Sequence, residues 1–175
     1  MRITNTHIYF FSKKDIFSNF AETPFTYTIE IDDMLGKRVD EFELNCSEQA
    51  YMYEKCLFFN QIELANKCIV TTNPKKVKSI GISIPNFDAS EWSKVSFDYM
   101  YKVCLQKFSN NKEAKQALLN SKDKILCEGS PYDNIWGCGF YVWDDYILNE
   151  NNWTGENRLG KVLMKVRGEL FQQKS

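Results

Sequence analysis

Four dense segments carry the residues whose types and spacing can do chemistry. They are Phe17-Ser18-Asn19-Phe20, Ser47 to Lys55, Tyr132 to Gly139, and Gly155 to Gly160. Each mixes aromatic, amide, carboxylate and glycine residues, a set that cradles a flat, polar, phosphate-bearing ligand better than it fills a plain core. The segments stand too far apart to serve one local element. If they act together, they meet in a cleft.

Glu48 and Lys55 lie seven residues apart on one predicted helix. Seven residues turn about 700° and rise about 10.5 Å, so both side chains leave the same face, too far apart to pair directly. They can bracket a ligand. The competing reading makes Glu48 a capping-box glutamate answering Asn45, and Lys55 a surface lysine paired with a neighbour. Asp133 opens Asp-Asn-Ile-Trp-Gly in a loop rich in Gly and Pro. It suits a ribose hydroxyl or the orienting of a catalytic group, or else an Asx turn within its own loop. Trp136 suits ring stacking or a core, and Gly137 lets backbone approach closely. Gly155 to Gly160 leads into the last predicted helix, where free N–H groups favour a phosphate. Asn157 is then a ligand contact or simply the N-cap. Phe17 and Phe20, flanking Ser18 and Asn19, read as a ligand clamp or as a hydrophobic plug.

The elements that must position these residues alternate strand and helix patterns. Residues 7–11 predict a short strand. Residues 24–31 and 39–44 alternate apolar and polar side chains and predict a hairpin, with 32–37 as its turn. Helices are expected from Asn45 or Ser47 to about Asn60, over Ile62 to Ile69, and from Asn73-Pro74. A longer helix, capped by Ser90, carries Trp92, Val95, Tyr99 and Val103 as its stripe. Lys112 to Leu119 predicts a short helix, Asp123 to Glu128 a buried strand, and Asn157 to Gln172 a helix with Leu159, Val162, Leu163, Val166 and Leu170 on one face. The expectation is an α+β fold in one compact domain over residues 1–175, mostly helical with a small antiparallel sheet.

Bulk numbers narrow the classes. The 175 residues suffice for one sizeable core, and 43% hydrophobic with 26% charged residues is globular. A net charge of −1 gives no general attraction to nucleic acid; Lys75, Lys76 and Lys78 form a local basic run that reads first as a solvated face. Six cysteines without C-x-x-C or zinc spacing, mostly in apolar runs, suit a reducing compartment. No stretch reads as a signal peptide or a bilayer span, so a cytoplasmic protein away from membranes is expected. The single histidine, His7, argues against histidine-rich metal sites and reads as a surface residue at a strand end.

Taken jointly, the segments resemble the NADAR family of YbiA-like proteins. The resemblance rests on Phe17-Ser18-Asn19-Phe20, Ser47-Glu48 with Lys55, Trp92 and the helix to Phe108, Asp133 with Trp136-Gly137 and Gly139, and Asn157-Arg158-Leu159-Gly160 with Leu163-Met164 and Val166-Arg167. It covers about Ile8 to Leu170 and implies an N-glycosidase that needs no metal or cofactor. Carried over, the catalytic set is Glu48, Lys55 and Asp133. The ligand-binding set is Phe17, Ser18, Asn19, Phe20, Trp92, Trp136, Gly137, Asn157, Leu159 and Gly160. The family's substrates imply removal of ADP-ribose from guanine in DNA or RNA, with an ADP-ribosyltransferase toxin as associate, or cleavage of phosphoribosyl intermediates of riboflavin synthesis. A non-catalytic sensor of ADP-ribose or a related nucleotide is the alternative from another class. The chain departs from shorter members in its hairpin, roughly residues 26–44, and in Gln49 where some have histidine. Breaking a C–N bond at an anomeric carbon builds positive charge on the sugar, which a carboxylate such as Glu48 can stabilise while activating water. A neutral lysine can instead form an imine with the opened sugar, provided desolvation outweighs nearby negative charge.

Overall fold

The computed structural model describes residues 1–33 and 36–173. By its contacts the chain forms two units, Met1–Ala21 with the chain from Lys112 onward, and Glu22–Asn111.

The first unit is built on a mixed sheet. Strand β1 (Arg2–Ile3) pairs antiparallel with β2 (His7–Phe10), which pairs in parallel with β5 (Ile125–Glu128) in the register His7 opposite Ile125 to Phe10 opposite Glu128. Tyr9, Phe10, Leu126 and Cys127 are fully buried, as expected of strands enclosed on both faces. Helix α5 (Lys112–Asn120) packs on α6 (Arg158–Gln172), and α6 covers β5. All five residues of the α6 stripe are buried. Arg167 ties this helix to the preceding turn by donating to Ser121 Oγ at 2.7 Å and to the Lys124 carbonyl at 2.8 Å. Two short 3-10 turns, Asp145–Leu148 and Glu150–Asn152, were not legible in the pattern.

The second unit places a long hairpin against four helices. Strands β3 (Phe25–Asp33) and β4 (Gly36–Leu44) pair over their full length, Phe25 opposite Leu44. The expected turn falls partly on residues 34 and 35, outside the described residues. Phe25, Tyr27 and Ile29 point inward and are buried. Helix α1 (Ser47–Phe58) packs on α2 (Ile62–Val70), α3 (Pro74–Ile82) and α4 (Ala89–Asn110), and β3 packs on α4. A buried carboxylate fastens three of these elements together. Glu54 of α1 accepts a short hydrogen bond from the Tyr27 hydroxyl of β3, and Lys102 of α4 reaches it at 2.7 Å.

The expected α+β class and helix dominance hold. The sheet is divided in two, and β5 joins β2 in parallel because helical chain separates them, which a hairpin cannot do. His7 begins β2 as expected but is buried, not on the surface. Its Nε2 meets Glu150 at 3.2 Å, its Nδ1 meets Thr6 Oγ1 at 2.8 Å, and its ring stacks on Tyr9. Asp88, not Ser90, caps α4: its Oδ1 accepts from the N–H groups of Ser90 at 2.8 Å and Glu91 at 3.1 Å. Asn73 caps α3 as expected, with Pro74 at the first position.

Candidate active site

The chemistry of the second unit is concentrated on α1. Cys46 occupies its N-cap, and its side chain accepts no capping hydrogen bond. The capping work falls to Gln49, whose Oε1 accepts from the Asn45 N–H at 2.8 Å. Gln49 Nε2 also donates to the Ile69 carbonyl at 3.0 Å, which binds α1 to the end of α2. The capping reading of Glu48 therefore gives way. Glu48 is 4% exposed, in the first turn of α1, where the helix dipole favours a carboxylate. The buried hydroxyl of neighbouring Ser47 has no hydrogen-bond partner among the described residues, a feature that in folded proteins goes with catalytic roles or bound water.

Lys55 lies two turns further along the same helix and is not a surface lysine. It is 9% exposed, its Nζ donates to the Gly81 carbonyl at 2.9 Å, and the Phe87 ring lies 4.0 Å away. Gly81 comes this close because it has no side chain: a Cβ there would fall 2.0 Å from Met52 Sδ on α1. Burial pushes the Lys55 ammonium below the ordinary lysine range; Cys56 and Glu48 pull it up, and Lys78 pushes it further down. Desolvation wins, which is the condition a nucleophilic amine needs.

Trp92, in the first turn of α4, belongs to the packing behind this face. It is 8% exposed, stacks on Tyr99 at 5.4 Å between centroids, and meets Tyr51, Phe58 and Phe59. Phe59 in turn touches Phe87. A line of rings thus runs from Trp92 to the ring over Lys55.

In the first unit the remaining expected residues fall into two groups. Phe17 is buried edge-on against Phe10 of β2, and Ser18 Oγ accepts from the Phe20 N–H at 3.2 Å. Ser18 and Asn19 are buried, and Phe20 is half-buried. The second group knots one loop to the start of α6. Asp133 Oδ1 accepts from the N–H groups of Trp136 at 2.8 Å and Ile135 at 3.1 Å, the Asx turn of the alternative reading. Trp136 is half-buried under the Arg158 guanidinium, 5.1 Å from its ring.

This knot removes the basis for a phosphate site at the start of α6. The N–H groups of Glu156, Asn157, Arg158 and Leu159 all donate to carbonyls of residues 134–137, at 2.8–3.2 Å. An anion finds no free donors among those four. Asn157 stands at the N-cap of α6, with φ 50°, but its side chain makes no capping hydrogen bond. Its Nδ2 donates to the Leu126 carbonyl at 2.9 Å and its Oδ1 accepts from the Glu128 N–H at 3.0 Å, so it extends the pairing of β5. Leu159 is core. At Gly160 a Cβ would sit 2.0 Å from the Leu126 carbonyl oxygen, so glycine is needed for α6 to rest on β5. At Gly137 a Cβ would sit 2.7 Å from Ser130 Cβ.

The sequence reading missed Gly81, Phe87 and the role of Gln49. A backbone acceptor leaves no trace in residue type, and Phe87 reads as one aromatic among thirteen phenylalanines. Gln49 entered the sequence reading only where some family members have histidine, although its spacing from Cys46 fits a capping box.

The NADAR domain family matches residues 9–171, and the chain belongs to this family. Protein irg-1 of Caenorhabditis elegans is 35% identical over 96% of this chain and 81% of its own length. N-glycosidase R617 of Acanthamoeba polyphaga mimivirus is 37% identical over 76% of this chain and 79% of its own. The NMR structure of the E. coli protein YbiA shares the fold with a TM-score of 0.70 at 24% identity, covering 99% of this chain and 89% of that one.

Proposed function

We propose that this protein is an N-glycosidase that hydrolyses a bond between ribose and nitrogen, with Glu48 and Lys55 as its working groups. The observation that carries the reading is the α1 face. A buried carboxylate that the helix does not need as a cap shares it with a buried lysine held below its ordinary pKa range by desolvation. Burying a carboxylate and an amine on one helix face is costly, and such groups cluster at functional sites. Its mimivirus relative is named as an N-glycosidase, which supports the same reaction class.

In this reading the neutral Lys55 amine adds to the anomeric carbon of the opened ribose. The C–N bond to the base breaks with its electron pair going to nitrogen, which takes a proton, and water then hydrolyses the imine to restore the amine. Glu48 stabilises the positive charge on the sugar and moves the protons. Asp133 acts first on its own loop, where its Oδ1 closes the Asx turn.

The substrate we propose is ADP-ribose carried on guanine in DNA or RNA. The 15% share of aromatic residues supplies rings of the kind an unpaired base stacks on. The test compares release of ADP-ribose from a guanine-modified single strand with loss of a phosphoribosyl intermediate of riboflavin synthesis, at equal enzyme. Fast release from the strand is expected. Turnover of the intermediate alone reverses the substrate, tight binding of ADP-ribose without turnover of either would make the protein a sensor, and inertness to all three sinks the reading.

A further inference from the structure

Phe87 sits in the short connection from α3 to α4, and the local sequence is built to place it. Ile84 is buried and anchors the segment. Asn86 takes a left-handed conformation with φ 53°, which asparagine tolerates better than most residues. Asp88 then caps α4. Between these fixed points the Phe87 ring is held against Phe59 at 5.1 Å and against Lys55 Nζ at 4.0 Å. Phe87 is 39% exposed and Lys55 9% exposed, so the ring is the more open to solvent of the two residues.

We propose that Phe87 is a positioning residue for Lys55, a ring that keeps water from the amine and holds it against the Gly81 carbonyl. The inference rests on the reading of Lys55 as the nucleophile and adds the device that prepares it. With one N–H committed to Gly81, the lone pair of the neutral amine is directed away from that carbonyl and stays available for bond formation. Two effects of the ring oppose each other. Its face attracts the ammonium, by roughly 0.5–2 kcal/mol in general. Its bulk excludes water, and removing hydration from an ammonium costs several kcal/mol. Exclusion therefore dominates, in keeping with the downward direction set by burial. The other groups acting on this amine are Glu48 and Cys56 of α1 and Lys78 of α3.

The test reads the amine itself and needs no substrate. The intact protein is labelled competitively with acetic anhydride from about pH 6 to about pH 11, across the usual lysine range, and acetylation of Lys55 is followed by mass spectrometry. Phe87→Leu admits water and should move the Lys55 midpoint upward. Its labelling rate at neutral pH should fall about tenfold for each unit of that movement, because only the neutral amine reacts. Phe87→Trp keeps a ring in place and should stay near wild type. If Phe87→Leu fails to show a cooperative melt, Asn86→Val asks the same question, since a branched residue resists the left-handed turn that aims the ring. An unmoved or lowered midpoint in the leucine variant, or an equal rise in the tryptophan variant, overturns the proposal. Because labelling is independent of turnover, a shifted midpoint in an inactive protein would count against the glycosidase reading and leave Phe87 in its role.

Discussion

At the scale of single residues, Glu48 and Lys55 are the two expected catalytic groups that the structure buries on one helix. Gln49 takes the Asn45 N–H just before α1, and Lys55 donates to the Gly81 carbonyl beside the Phe87 ring. Glu48→Gln keeps the volume and removes the charge. It should lower turnover by about a hundredfold or more, the usual worth of a positioned acid or base, with little change in melting temperature. Near wild-type rates in a normally folded variant would reduce Glu48 to a buried helix-dipole partner. Lys55 has a more direct signature. Borohydride added during turnover should trap the imine as a stable sugar adduct on Lys55, located by peptide mass. An active Lys55→Ala protein without adduct would remove it from the chemistry.

At the scale of elements, the last glycine segment builds fold where a phosphate cradle was expected. Gly160 lets α6 touch the β5 backbone, and the Asn157 amide completes the hydrogen bonds of Leu126 and Glu128. Gly160→Ala forces its new methyl into the Leu126 carbonyl. It should cost about 3 kcal/mol or more, against a gain of up to about 1 kcal/mol for the same change in an open helix. Asn157→Ala leaves two buried backbone groups unsatisfied and should cost about 2–4 kcal/mol. Chemical denaturation measures both, and wild-type stability in either variant would contradict the packing described. Isothermal titration of ADP-ribose against a folded Asn157 variant should give unchanged affinity.

At the scale of the whole molecule, pH dependence is set by polar groups enclosed in apolar surroundings. Lys107 of α4 is fully buried, and burial pushes its ammonium down to about 8 from an ordinary 10.5, with Cys104 and Cys46 opposing. The sign follows from proton counting. Between those two values the unfolded chain holds the proton and the folded chain does not, so stability from this group rises with pH. Neighbouring cysteines work the other way above their ordinary range, Cys104 being pushed up to about 12. Comparison with Lys107→Met therefore isolates the lysine. Relative to that variant, the wild type should gain as much as about 3 kcal/mol between pH 8 and pH 10.5, at roughly 1.4 kcal/mol per unit. A gap that stays constant with pH would show that Lys107 titrates normally.

The elements were legible because their signals are local. Alternation marked β3 and β4, an apolar stripe marked α6, and Asn73-Pro74 marked the start of α3, each readable from neighbours a few residues away. The shared face of Glu48 and Lys55 followed from helical geometry alone. What the chain's linear pattern could not decide was which polar side chains are already spent. Asn157 and Glu48 look alike as polar residues near the starts of helices. Asn157 gives both amide atoms to β5, whereas Gln49 relieves Glu48 of the cap. The lowered ionisation of Lys55 was equally out of reach, because it depends on how deeply the folded chain buries the amine. Residue types and periods determine which groups exist and which face of an element they occupy. Hydrogen-bond partners and desolvation are properties of distant neighbours, and only the tertiary structure decides those.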